Sequence, residues 1–595
     1  MFLSTWYVAT TGSDSHPGSL RQPFQTIQQA ANVAQPGDTV MIRGGTYRET
    51  VVPPRSGADG APITFEAFRG ERVTIDGADP INQWSNGSSG IRQATVAWDL
   101  GAGSNQLFYN GQAMTEARWP NTKIGTAALW QPTFAQMSGV TPGPSSGTAA
   151  TAKISVPQLT DPDGAWVGAT IDFAAGNEWV FQSGTVTASL PGSLTFTYTQ
   201  LLPTDGQTLT DGNRFYLTGT LRALDAPGEW YFDPTTNALS FLPPAGGTPR
   251  AGTVEFKHRQ FGFDLSRVSY VNITGITLFA CTINTDADST HDTLNGIAAQ
   301  YVSQSPVEAD PWADQFAPHT TGIILNGSNN TIDNSTIHFS SGDGVFLGGN
   351  NNTVQNCVIG DVDTIGADEA GVTTLGSNEQ VLNNTIFNCG RSGVVSRYTA
   401  ASTIAHNRIY ACGLLTTDLG GIYAFETDGQ GTRIEYNKIS EIHTVAYRGV
   451  GIYLDEGCSN YVVDHNVVWD VDTGVKLNPV SENNLVQNNT FAGSADSVGS
   501  GPTGLTGSIL ANNIFIGPAQ IASDATQENN LSDPPSSIFL APEAGNFQLR
   551  RALFMRAIAH ANAPTGMNPD VGAFALGQPP FTAGATIRMK GVRLR

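Results

Sequence analysis

A short phrase, asparagine followed within three places by a hydrophobic residue, closes one strand-like run after another in the second half of this chain. It occurs as "DNSTI", "QNCVI", "NNTIF", "HNRIY", "YNKIS", "HNVVW", "NNTFA" and "NNIFI". The asparagines are Asn334, Asn356, Asn384, Asn407, Asn437, Asn466, Asn489 and Asn513, separated by 22, 28, 23, 30, 29, 23 and 24 residues. A period of this length describes one supersecondary unit that cannot bury its own apolar face and must stack on copies of itself. The expected fold is all-β: a right-handed parallel β-helix, with the asparagines in tight turns bonding to the next coil.

The start of the chain fits the end of such a stack. "PFQTIQQAANVAQPGDTVMIRGGTY" reads as an amphipathic helix over about Thr26 to Ala34, then a turn and a strand, so the helix would cap the open core. From about 100 to 256 the period is lost. Alternating runs such as "SLTFTYTQLL" and "GEWYFDPTTNALSFLPP", broken by Gly, Pro and Asp, predict an inserted antiparallel β-sandwich. The division read from the sequence is 1–99 for the cap and first coils, 100–256 for the insert, 257–577 for the main helix and 578–595 for a basic tail. Residues 281–319 read as a long loop that could lie over a groove, with Trp312 on it. "GNFQLRR…PDVGAFALG" reads as the last coil.

Composition narrows the partners. Fifty-one acidic against 30 basic side chains give a formal charge of −21, which disfavours nucleic acid and anionic membrane. Five cysteines show no metal-ligand spacing, and Cys389 and Cys412 end similar phrases, so reduced thiols in one core column are expected. "MFLSTW" is too short for a secretion signal, although an extracellular or periplasmic bacterial setting is expected. A homo-oligomer remains open.

Aligning the coils on the glycine that begins one strand (344, 371, 393, 421, 451, 474) gives the chemistry. Side chains alternate along a strand, so one outward column is Phe346, Thr373, Val395, Tyr423, Tyr453, Lys476. The other is Gly348, Leu375, Arg397, Phe425, Asp455, Asn478. Glu426 and Glu456 end their strands, and Asp418 stands at the mouth of one. Such stacked acids have three readings: solvated or paired to Arg397 and Lys476, a structural Ca²⁺ site using Asp428 or Glu456 with Glu426 and Asp455, or paired catalytic carboxylates in a sugar groove. The last makes Asp455 and Glu426 the pair, with Asp418 in reserve. Tyr423, Tyr453, Arg397, Glu456, Lys476 and Asn478 would contact substrate, and His443 could line the groove.

"WYVATTGSDSHPGSLRQPFQTIQQAANVAQPGDTVMIRGGTYRETVVPP", "LFYNGQAMTEARWPN" and "GIYLDEGCSNYVVDHN" resemble secreted bacterial β-helix carbohydrate-active enzymes, above all the glycoside hydrolase family 120 β-xylosidases and the related family 141 enzymes. The resemblance implies a retaining, exo-acting hydrolase of a neutral oligosaccharide that needs no cofactor, with Asp455 as nucleophile, a carboxylate of a nearby coil as acid/base, and Trp119 with Arg118 beside it on the sugar. The coil after Asp455 departs from that pattern by offering Asn478 in place of an acid. Two other readings stand beside it: a β-helix polysaccharide lyase using Lys476, Arg397 and Ca²⁺, and a non-catalytic glycan-binding module.

Overall fold

The computed structural model describes residues 3–123, 130–146, 148–202, 206–312, 319–444, 449–550, 571–574, 579 and 581–587. The described chain forms a solenoid of stacked coils. One face is a 14-stranded parallel sheet, and the other two faces join into a 21-stranded sheet. Valine, isoleucine and leucine alternate inward on every coil, giving one continuous core from Val8 to Ala522. The helix is Ile27–Val33; the Thr26 side chain caps it by accepting from the Gln29 N–H, and Ile27, Ala30 and Ala31 close the end of the core. All five cysteines are buried and free, and Cys389 pairs in register with Cys412.

The asparagine column is an internal ladder. Each side-chain oxygen accepts the backbone N–H of the coil before it, in the series Asn384, Asn407, Asn437, Asn466, Asn489, Asn513, Asn530. Asn334 and Asn356 stand outside it, contrary to the sequence alignment. They lie one position earlier, in left-handed turns with φ of 51° and 50°, where the Asn356 amide donates to Asn334 Oδ1 at 2.5 Å. In their coils Ser335 and Cys357 hold the ladder position, so the alignment was one residue out there.

The antiparallel insert begins earlier than residue 100. Ala78–Pro80 already pairs antiparallel with Val254–Lys257, while the solenoid strand Val73–Asp76 pairs with Ile276–Phe279. Between them lie a four-stranded, a five-stranded and a seven-stranded sheet with apolar cores of their own.

Two further expectations differ. Segment 281–319 is mostly coil, with strands Thr282–Asn284, Thr293–Asn295 and Ala298–Ser303; Ile283, Leu294 and Ala299 point into the core, so only the stretch after Ser303 is loop, and 313–318 lie outside the described residues. Asn546–Leu549 is not a coil strand. It turns back after Gly545, a left-handed residue (φ 69°), and pairs antiparallel with Phe539–Ala541, packing against Val467, Trp469 and Ile514 outside the solenoid core. Of the expected tail, 581–587 run along the turns, bonding His406, Thr385 and Asn356; residues 578, 580 and 588–595 lie outside the described residues. Among the described residues, no helix is long and apolar enough to cross a membrane.

Candidate active site

The outward column forms in the expected register: Phe346, Thr373, Val395, Tyr423, Tyr453 and Lys476 are successive partners. Its exposure is not as expected. Val395, Tyr423 and Tyr453 are buried, forming with Ala370 and Val450 a small apolar cluster outside the solenoid core. They are covered because the turns that precede the strands fold back over this face. Asp368, from one such turn, pairs with both Arg391 and Arg397, and Arg391 stacks on Tyr423 at 4.9 Å. Both guanidinium groups are almost wholly buried, so Arg397 is a structural ion-pair partner within the face.

Asp455 lies at the centre. Its carboxylate accepts from Tyr423 Oη (2.9 Å), Asn478 Nδ2 (2.7 Å) and its neighbour's Glu456 N–H (2.8 Å). Tyr453 also bonds Asp455, and its hydroxyl reaches Asp418 Oδ1 at 3.4 Å. Lys476 Nζ donates to Tyr453 Oη at 2.8 Å, lies over its ring at 4.4 Å, and stands 4.0 Å from Asp418. Burial, with the charges of Asp455 and Asp418, pushes both tyrosine hydroxyls far above their ordinary range, so they stay protonated donors. Asp418 sits in a left-handed turn (φ 55°). The residue before it is clamped by the insert: Thr417 N–H donates to Glu178 O, Thr417 Oγ1 donates to Asn177 O, and Arg214 Nη2 reaches Leu415 O. The insert therefore holds the turn that carries Asp418.

Other expected residues lie elsewhere. Glu426 is exposed in a left-handed turn (φ 45°), its N–H held by Glu456 O; Glu456 is likewise exposed. Asp428 caps its own turn by accepting from Gln430 N–H and Asn460 Nδ2. His443, half-exposed, sits between Asp472 (2.9 Å) and Asp470 (3.0 Å). Trp119 packs on Phe215 against the insert core, and Arg118 is buried there, 4.0 Å over the Tyr216 ring. Trp312 follows an Asp310 turn, its indole N–H buried without a partner among the described residues; so is that of Trp179, which lies on the insert loop at Thr417.

A second constellation lies at the mouths of the strands, where Glu369 and Arg391 stand two places before the glycine and Asp343 one. His319, Asp343 and Glu369 bring one nitrogen and two oxygens within 4.8 Å of one another. Burial raises Glu369 to about 7, helped by the Asp343 charge. Burial opposes protonation of His319, but Asp343 at 2.5 Å outweighs it and lifts His319 to about 9. The overlooked signal was a column of polar residues before the aligned glycine.

Residues 321–515 match the family model described as "Right handed beta helix region", and residues 6–102 match "Pel9A-like, right handed beta helix region". The chain is a right-handed parallel β-helix. A solved "Glycoside hydrolase" superposes on the β-helix and its insert with a TM-score of 0.58 at 13% identity, covering 89% of this chain and 97% of the other; at that identity the likeness concerns fold. Among curated proteins, "Uncharacterized protein YwoF" of Bacillus subtilis is 46% identical over 76 residues, and "Pectate lyase PEL9" of Emericella nidulans is 41% identical over 75. These two matches take in 13% and 12% of this chain and span only 16% and 18% of the relatives' own length.

Proposed function

We propose that this β-helix is a carbohydrate-active enzyme that hydrolyses glycosidic bonds of a neutral oligosaccharide with retention of configuration, resembling the β-xylosidases in being exo-acting. The observation that carries the reading is the sharing of Tyr453 by two carboxylates, Asp455 and Asp418. Two carboxyl groups that reach one hydroxyl are near neighbours, and we take them for the ~5–5.5 Å pair of a retaining glycosidase rather than the ~6.5–9.5 Å pair of an inverting one. Asp455, held by three further donors, suits the nucleophile, which must be presented ionised and fixed. Asp418, the less enclosed of the two, is left for the acid/base, with Lys476 at 4.0 Å favouring the ionised form that acts as base in the second step. The same contacts favour it over Glu426, whose exposed turn lies beyond the strand.

The chemistry follows from the positions. Asp455 attacks the anomeric carbon while Asp418 protonates the leaving oxygen, and a water deprotonated by Asp418 then releases the sugar. Tyr423 and Asn478 fix the attacking carboxylate, so little reorganisation is needed as its charge moves.

A lyase reading draws on the pectate lyase similarity. It needs a free base and a positive site for a uronate, whereas Lys476 is engaged by Tyr453 and both arginines by Asp368. A panel of p-nitrophenyl glycosides, run beside polyuronates monitored at 235 nm, separates the two. Hydrolysis is expected on at least one glycoside. Asp455→Asn should abolish it, and Asp418→Asn should slow poor leaving groups far more than activated ones. Growth of 235 nm absorbance with no glycoside turnover would reject the hydrolase.

A further inference from the structure

We propose that His319, Asp343 and Glu369 form a binding site for a divalent transition-metal ion of the zinc or manganese class. The three come from consecutive turns at one edge of the stack, and their donor atoms lie within 4.8 Å of one another. An imidazole with two carboxylates suits such an ion better than Ca²⁺, which takes oxygen ligands. Three protein ligands would leave room for a water or a sugar oxygen.

The surroundings hold the donors in place. Asp343 Oδ1 accepts from Ala370 N–H (2.9 Å) and Thr373 Oγ1 (2.6 Å), which turns Oδ2 toward His319. Thr321 Oγ1 donates to Glu369 Oε2 at 2.8 Å, and the His319 ring lies flat on Phe346 with 4.7 Å between centroids. Such outer contacts are what orient metal ligands. Gly342 leaves the space: a Cβ there would run into Glu369 Oε2 and Thr321 Oγ1.

A separate observation also calls for a cation. Asp363 is fully buried, and among the described residues its Oδ2 has no hydrogen-bond partner, while Oδ1 accepts the Ala367 N–H at 2.7 Å. It lies close enough to Glu369 and Asp343 to feel both charges. Three carboxyl groups gathered in a covered space are costly; His319 faces Asp343, and Arg391, which Asp363 also feels, is already paired to Asp368, so the group stays rich in negative charge. His443 between Asp470 and Asp472 lacks this covering.

The strands of Asp343 and Glu369 lie four and three coils from that of Asp455. At ~4.8 Å per coil the ion would sit roughly 14–19 Å from the Asp455 carboxylate. It would act on a distant part of a bound chain or on the coil edge, not on the bond being cleaved. The proposal is therefore independent of the hydrolase reading.

The test uses the full chain, stripped with a chelator, incubated separately with Zn²⁺, Mn²⁺ or Ca²⁺, desalted and analysed for retained metal, with thermal unfolding recorded in parallel. About one equivalent of Zn²⁺ or Mn²⁺ per chain and a rise in Tm of several degrees are expected, with no retention of Ca²⁺. Glu369→Gln, which keeps the volume and the Thr321 contact, should reduce retention at least tenfold, and His319→Asn should do the same. If His319→Asn fails to fold, Glu369→Gln decides alone. No retained transition metal in the wild-type chain, or equal retention in Glu369→Gln, overturns the proposal.

Discussion

Replacing Asn437 by alanine should injure the β-helix from the inside. The Asn437 side chain is fully buried and makes four hydrogen bonds: Oδ1 accepts from the N–H (2.9 Å) and amide (3.0 Å) of Asn407, and Nδ2 donates to Ile404 O (2.8 Å) and Asn466 Oδ1 (3.0 Å). Two of the partners are partly compensated after truncation. The Asn407 amide keeps Val381 O, and Asn466 Oδ1 keeps the Asn437 N–H. The Asn407 N–H loses its acceptor. A stranded buried donor costs about 1–3 kcal/mol, and each of the three other lost bonds about 1 kcal/mol, so a total of roughly 4–6 kcal/mol is expected. Asn530 ends the same ladder but is half-exposed, accepting from Asn513 and donating to Leu510 O. Water can replace its bonds, so Asn530→Ala should cost about 1 kcal/mol. A chain of this size need not unfold in one step, so the reading is best taken locally, by hydrogen exchange of peptides containing the Asn407 amide together with calorimetry. Equal shifts for the two variants, or unchanged protection at Asn407, would refute the reasoning.

Tyr453→Phe removes the hydroxyl shared by the two carboxylates, and kcat on whatever glycoside the enzyme accepts should fall 10–100-fold, about 1.4–2.7 kcal/mol of barrier, with KM nearly unchanged; an unaltered kcat would uncouple Tyr453 from the chemistry. Glu379 is fully buried in the opposite turn of the coil and is pushed up to about 8 by burial. Its folded-state value exceeds its unfolded one, so its contribution to stability is full below the unfolded pKa of ~4.3 and is lost as pH rises through about 8. Glu379→Gln should therefore flatten the fall in Tm between pH 5 and 8, and an unchanged slope would count against a protonated Glu379. Trp119→Ala should lower the stability of the insert by about 2–3 kcal/mol, seen as an earlier unfolding transition with KM unaffected; a raised KM with the transition unmoved would return Trp119 to the sugar.

The fold was legible because a ladder residue must recur once per coil, and the alternation that builds the core also fixes which side chains face out. The register from Phe346 to Lys476 could be written down from the glycines alone. What covers that column could not. Asp368 reaches Arg391 and Arg397 from a turn whose fold-back leaves no periodic trace, so residues that alternate outward were read as exposed. Asp418 was visible only as an acid near a glycine pair; its approach to Tyr453 depends on Thr417 being held by Glu178 and Asn177, some 240 residues earlier in the chain. Trp119 stands in a phrase that resembles sugar-binding segments, but its ring is taken by Phe215. Asn334 and Asn356 were misassigned because both positions flanking the turn accept asparagine, one for its left-handed φ and the other for its amide.

The site at which the insert leaves the stack bears on how the chain reaches its native state. Strand Val73–Asp76 must find Ile276–Phe279, 203 residues further on. Closing so long a loop costs roughly 2 kcal/mol more in chain entropy than closing a coil of ~25 residues. Because Ala78 pairs with Lys257, an insert that has already folded presents its two ends side by side and removes most of that penalty. The first coils are then expected to join last, docking onto a growing stack only after the excursion has collapsed, and a destabilised insert would slow the assembly of a core it does not share.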